Sequence, residues 1–221
     1  MSNNVLITGA NRGVGLALCQ EYLSRGDNVF AVCRHVSDEI KALPVTIISG
    51  VDVASASDME KLKQGIASAE IDILINNAGI LRSMTFDRLD FDQIDEQFQV
   101  NAVAPLRVVQ TLADNLKNGS KVAMITSRMG SIDDNTSGGS YGYRMSKAAL
   151  NAAGKSLAVD FKSKGVSVAL LHPGYVNTEM VNYSGQIEPD LAAERLAQRI
   201  DDLNLENTGS FWHSNGEVLP W

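Results

Sequence analysis

The chain is poor in cysteine. Its 221 residues hold only Cys19 and Cys33, at a spacing that fits no metal site. Two such thiols read as buried side chains in a reducing compartment rather than as a disulfide, and the expected location is cytoplasmic. No stretch of eighteen apolar residues occurs, so no transmembrane helix is expected, and no basic-then-apolar leader precedes the first strand pattern. Positive charge is also scarce. Nineteen Lys and Arg stand against 26 Asp and Glu, for a net charge of −7 and a pI near 4.9. That balance argues against nucleic acid and anionic membranes as partners. Repeats, linkers and low-complexity segments are absent. The 44% hydrophobic content suffices for a sizeable core, and the length suits one α/β domain over residues 1–221.

Short apolar runs alternate with helical patterns. Strands are expected at Val5–Thr8, Asn28–Cys33, Val45–Ser49, Ile71–Ile75, Lys121–Thr126 and Val166–Leu171, with a last edge strand at Gly209–His213. Apolar residues at helical spacing predict helices from Val14 to about Gly26, and over Ser57–Ala69, Asp92–Leu116, Tyr143–Lys162 and Leu191–Leu203. Such alternation favours a parallel sheet with helices on both faces.

The first strand runs into Thr8-Gly-Ala-Asn-Arg-Gly-Val-Gly15, and a helix follows. Glycines at 9, 13 and 15 let backbone approach a pyrophosphate, and a helix N-terminus offers free N–H groups and partial positive charge. Asn11, Arg12 and Val14 share this turn. A dinucleotide fold for NAD places an acid about twenty residues beyond the glycines. Here that region reads Cys33-Arg34-His35, with no acid before Asp38. Arg34, with Arg12 as a second jaw, suits a 2′-phosphate and hence NADP(H); the bland alternative is two solvated arginines. Asp52 could meet an adenine amino group with Val53 packed nearby, or serve as a turn residue before a helix.

Tyr143 and Lys147 stand four residues apart where a helix begins, which puts them on one face. An ammonium beside a phenol lowers its pKa from about 10 toward the working range of a proton donor. A lone Tyr-x-x-x-Lys is more often a surface contact. Pro173-Gly174 breaks the sixth strand and lets backbone turn close to a ligand. His172 at that strand's end reads as structural. Trp212 and Trp221 read as packing residues.

Three separated motifs change the weighting: the glycine turn, Asn76-Asn-Ala-Gly79, and Tyr143-x-x-x-Lys147. In this order and spacing the chain resembles the short-chain dehydrogenase/reductase family over essentially its whole length. The Tyr141-Gly-Tyr-Arg-Met-Ser-Lys147 stretch, Leu171-His-Pro-Gly-Tyr-Val176 and the Leu219-Pro-Trp221 ending look like the sniffer and C-factor carbonyl reductases within it. The resemblance implies a doubly wound parallel sheet of seven strands in the order 3-2-1-4-5-6-7. It implies NADPH-dependent reduction of a small aldehyde or ketone, with Tyr143 as general acid, Lys147 holding the nicotinamide ribose and lowering the Tyr143 pKa, and Ser127 on the carbonyl oxygen. Asn101 is implied to disturb its helix and hold a water in a proton relay. Asn77, Ala78 and Gly79 are assigned to the cofactor site. Pro173, Gly174, Val176 and Thr178 are placed against the nicotinamide. Ser131 is a second serine candidate, and Ser140 and Tyr141 are decoys. Residues 179–190 are expected to form a short substrate flap. The helices at 92–116 and 143–162 are expected to pair in a homodimer or homotetramer. The rival class is an NADP(H)-binding regulatory or signalling protein with incidental catalysis.

Overall fold

Alternation along the strands decides which face each residue covers. In the computed structural model, which describes residues 2–221, Val5 and Ile7 of strand β1 (Asn4–Thr8) point into one apolar layer and Leu6 into the other. The same split recurs in β4 (Ile71–Asn76), where Ile73 and Ile75 join Val5 and Ile7 while Leu74 joins Leu6. The remaining strands are β2 (Asn28–Cys33), β3 (Thr46–Ser49), β5 (Leu116–Ile125), β6 (Ser167–His172) and β7 (Ser210–His213). All pair in parallel in one seven-stranded sheet, ordered β3-β2-β1-β4-β5-β6-β7, as the resemblance implies.

One face is covered by helix α1 (Gly13–Ser24) and the last helix, α7 (Pro189–Asp202), through Leu18, Tyr22, Leu196 and Ile200. The short helix α2 (Asp38–Lys41), not expected from the sequence, adds Ile40 to this layer. The other face carries α3 (Met59–Ile66), α5 (Ala104–Thr111) and α6 (Tyr141–Asp160), through Leu62, Val108 and Leu150. Two layers over a parallel sheet bury its strands on both sides, which is why they read as unbroken apolar runs.

The expected helix over Asp92–Leu116 is corrected. It is divided into α4 (Phe91–Phe98), a π-helical turn (Gln99–Val103) and α5, and it stops at Thr111. Leu112 and Leu116 keep the helical spacing in sequence, but Leu116 already lies in β5 opposite Ile71. Asn115 forces the change of direction. Its amide side chain donates to the main-chain oxygens of Ala67 and Ala69, and the Asn115 main-chain oxygen accepts from the Ile71 N–H. The helix expected over Ser57–Ala69 is likewise shorter and ends before Ala67, whose φ of 51° is left-handed.

Candidate active site

The carboxyl ends of β1, β2, β4, β5 and β6 open on one side of the sheet, and the motifs collect there. The glycine turn is held by Asn77. Its side chain donates to the main-chain oxygens of Thr8 and Gly9 at 3.0 and 3.2 Å, while the Thr8 hydroxyl accepts from the Asn77 and Ala78 N–H groups. The packing leaves no room for a side chain: a Cβ on Gly15 would stand 2.2 Å from the Gly9 oxygen. Helix α1 starts at Gly13 with neither a capping side chain nor an acidic residue in its first turn. Its positive end therefore faces the cleft without an internal anion, which fits a pyrophosphate.

Arg12 and Arg34 both line the cleft, and each holds a carboxylate. Arg12 Nη1 lies 2.6 Å from Glu179, and Arg34 Nη1 lies 3.5 Å from Asp52. Both pairs are solvent-exposed and worth about 0–1 kcal/mol. A doubly charged phosphate offers stronger, bidentate bonding to a guanidinium, so the donor set fits a 2′-phosphate. Asp52 is occupied as a turn residue: one carboxylate oxygen accepts from the Ala54 N–H, and its own N–H donates to Asp58.

Across the cleft, α6 presents Tyr143 and Lys147, both buried. The helix is seated tightly. A Cβ on Gly130 would meet the Lys147 main chain at 2.8 Å, and one on Gly142 would meet Gln97 at 2.5 Å. Thr126 donates to Asn151 at 2.7 Å, tying the end of β5 to the helix. Burial pushes the Tyr143 phenol up to about 12, with the Ser127 hydroxyl acting in the opposite direction. Burial pushes Lys147 down to about 8. The expected lowering of the Tyr143 pKa is therefore corrected: with both groups buried, the phenol stands above its ordinary value. The Lys147 ammonium lies 5.8 Å from the Tyr143 ring centroid and donates to the Ile125 main-chain oxygen at 2.8 Å.

Asn101 sits fully buried in the π-helical turn, so the helix is disturbed where the resemblance places the disturbance. Its side chain is committed to protein groups. It accepts from the Ile80 N–H at 2.8 Å and donates to the Ile80 oxygen and the Ser146 hydroxyl at 2.9 and 3.0 Å. This clamps the backbone beyond Gly79, beside which Lys147 Nζ also lies.

The cleft has a volume of about 500 Å³. It brings together Gly9, Asn11, Arg12, Gly13, Val14, Gly15, Arg34, Asp52, Val53, Asn77, Ala78, Gly79, Tyr143, Lys147, Pro173 and Thr178. Ser127, Asn101, Gly174 and Val176 do not line it. Gly174 has φ +98° and packs under Ile187, and Val176 is buried and bridged to Ile187. Glu96, Val100 and Met180 line the cleft without having been singled out, and Tyr183 of the expected flap joins them. Met180 and Tyr183 carried a signal, as large apolar side chains in the expected polar flap. Tyr141 turns outward against Phe86, and Ser140 bonds Ser83. Ser131 is engaged elsewhere, with the Trp221 oxygen and the Asp134 N–H. His172 stands edge-on to His213 at 4.9 Å and is pushed down to about 3 by burial, so it stays neutral at ordinary pH. Cys19 and Cys33 are buried free thiols. Among the described residues, no helix is long and apolar enough to cross a membrane.

The sheet order and the glycine turn are those of an oxidoreductase of the short-chain dehydrogenase type. The short chain dehydrogenase family model matches residues 3–188, and the chain belongs to that family. It is 37% identical over 225 residues to 1-hydroxy-2-glutathionyl-2-methyl-3-butene dehydrogenase of Rhodococcus sp., covering 99% of this chain and all of that one. Among solved structures it is similar to the carbonyl reductase Sniffer of D. melanogaster, with a TM-score of 0.92, 29% identity and full coverage of both chains. It is also similar to the NADPH-bound carbonyl reductase from chicken fatty liver, with a TM-score of 0.89, 27% identity, and coverage of 100% of this chain and 99% of that one.

Proposed function

We propose that the protein reduces small aldehydes or ketones with NADPH, and runs the reverse oxidation. The observation that carries this reading is the meeting of Tyr143 and Lys147 in the cleft opposite the glycine turn and its two arginines, with Ser127 two residues beyond the end of β5. When bound, NADPH supplies the hydride that becomes attached to the carbonyl carbon. Tyr143 gives its proton to the carbonyl oxygen as general acid. A phenol pushed up to about 12 stays protonated at neutral pH, as a donor must. Ser127 hydrogen-bonds the same oxygen where negative charge develops. Lys147 holds the nicotinamide ribose. Asn101 fixes the backbone next to Lys147 and completes the proton path to solvent through its π-helical turn. Arg34 and Arg12 leave their carboxylates for the 2′-phosphate, and Val53 lies against the adenine. The substrate lies between Tyr143 and the flap residues Met180 and Tyr183.

The reading extends to assembly. Phe98, Leu106, Met145 and Val159 are exposed apolar residues on α4, α5 and α6, and they fit a homodimer or homotetramer built on these helices. Light scattering on the purified chain tests it: a monomer at tens of micromolar would remove this part.

NADPH consumption with a panel of small aldehydes, ketones and quinones tests the activity. Turnover of at least one carbonyl is expected. Tight NADPH binding without any turnover would instead favour a cofactor-binding regulatory protein.

A further inference from the structure

The Leu-Pro-Trp ending and Ser131 take no part in the chemistry above, yet the fold joins them. After β7 the chain reverses, with Val218 bridged antiparallel to Trp212 and the Leu219 N–H donating to the Phe211 oxygen. Leu219 packs with Leu170 and Phe211, and the Trp221 ring lies 5.5 Å from the Phe211 ring. This brings the main-chain oxygen of Trp221 to the loop that follows Ser127. Three donors converge on it at 2.9 Å: the N–H groups of Ile132 and Asp133 and the hydroxyl of Ser131. Ser131 is only 3% exposed, and its oxygen in turn accepts from the Asp134 N–H at 3.0 Å. A second tie runs beside the first: Arg128, adjacent to Ser127, pairs with Glu217 at 2.6 Å and with Asp134 at 3.3 Å.

Ser127 opens the 3-10 turn Arg128–Gly130, where its hydroxyl accepts from the Met129 N–H at 3.1 Å. The loop beyond is exposed from Ile132 to Gly138, apart from Asp134, and polar after Ile132. A loop of that kind opens readily on its own. Several hydrogen bonds gathered on one acceptor restrain the loop just before it becomes exposed, four residues after the serine.

We propose that the segment Glu217–Trp221 braces the Ser127 turn, with Ser131 as the positioning residue that transmits the restraint to the serine hydroxyl. The inference rests on the reading of Ser127 as the residue facing the substrate oxygen. One net hydrogen bond is worth about 0.5–1.5 kcal/mol, a factor of roughly 2 to 10 in local opening.

The test uses the whole protein in four forms: wild type, Ser131→Ala, Ser131→Thr, and a chain ended after Leu219. Hydrogen exchange of the Met129 amide is measured without cofactor, and kcat, KM and NADPH affinity are measured with the best carbonyl of the panel. Ser131→Ala and the shortened chain are expected to exchange Met129 about 3- to 10-fold faster. Their kcat should fall by a similar factor while KM and NADPH affinity stay within about twofold, and Ser131→Thr should restore both. Unchanged Met129 exchange would overturn the brace. So would faster exchange with unchanged kcat, or a loss shared equally by NADPH affinity. A wild type that turns over no carbonyl would overturn the functional reading instead, and Met129 exchange would still decide the brace.

Discussion

Lys147 and Ile125 are joined by a 2.8 Å hydrogen bond from the ammonium to a main-chain oxygen. The bond holds the charge in a buried place where its pKa is pushed down from 10.5 to about 8. Between these two values the unfolded chain carries a proton that the folded chain lacks. Stability contributed by this group therefore rises with pH through that window, and the full cost of burial is present below pH 8. Lys147→Met is expected to be more stable than wild type at pH 7.5, on the order of 1–3 kcal/mol, with the gap shrinking by pH 10. Urea denaturation at the two pH values measures it, and a gap that does not change with pH would contradict the assignment.

His172 gives a prediction on the acid side. Its pKa is pushed down to about 3, with burial the largest cause and the charges of His213, Arg128 and Lys147 adding to it. Between pH 6.5 and 3 the unfolded chain binds a proton that the folded chain excludes, so stability falls as pH drops. His172→Gln should lose less stability than wild type between pH 6.5 and 4, while neutral-pH turnover stays within about threefold because the imidazole carries no proton in the reaction. Parallel denaturation midpoints across that range would count against it.

Arg34 and Asp52 form an exposed pair at 3.5 Å that a 2′-phosphate would displace. Arg34→Ala is expected to weaken NADPH binding about 10- to 100-fold and leave NADH binding within about twofold. Fluorescence titration with each nucleotide separates the outcomes, and an equal loss for both would remove Arg34 from the phosphate site.

The glycine turn makes a steric prediction. A Cβ at position 15 would lie 2.2 Å from the Gly9 oxygen and 2.6 Å from the Asn77 amide nitrogen. Both belong to the framework of the turn, so neither can yield cheaply. Gly15→Ala should lower the melting temperature and abolish measurable NADPH binding. Normal binding in that variant would show that the turn is looser than its packing.

Much of this was legible in the residues. The strands declared themselves because both faces of a parallel sheet are buried, and the glycine turn because its function needs backbone without side chains. The end of the helix at Thr111 was hidden, because Leu116 continues the helical spacing while already belonging to β5. What overrides the pattern is Asn115 bonding to residues more than forty positions away, which no local window contains. The same holds for the Arg12–Glu179 pair and the Trp221 brace, both contacts between distant segments. The acidity of Tyr143 was misread for a related reason. Spacing placed an ammonium beside the phenol, but burial of both groups and the orientation of Lys147 toward Ile125 depend on the packed helix.

The central claim is that the Tyr143 hydroxyl delivers the proton to a carbonyl oxygen. Steady-state NADPH oxidation by Tyr143→Phe against wild type, with NADPH affinity measured on the same samples, tests it most directly. A fall in kcat of about 10²- to 10⁴-fold with nucleotide affinity within about twofold is the predicted result. Turnover close to wild type would contradict it.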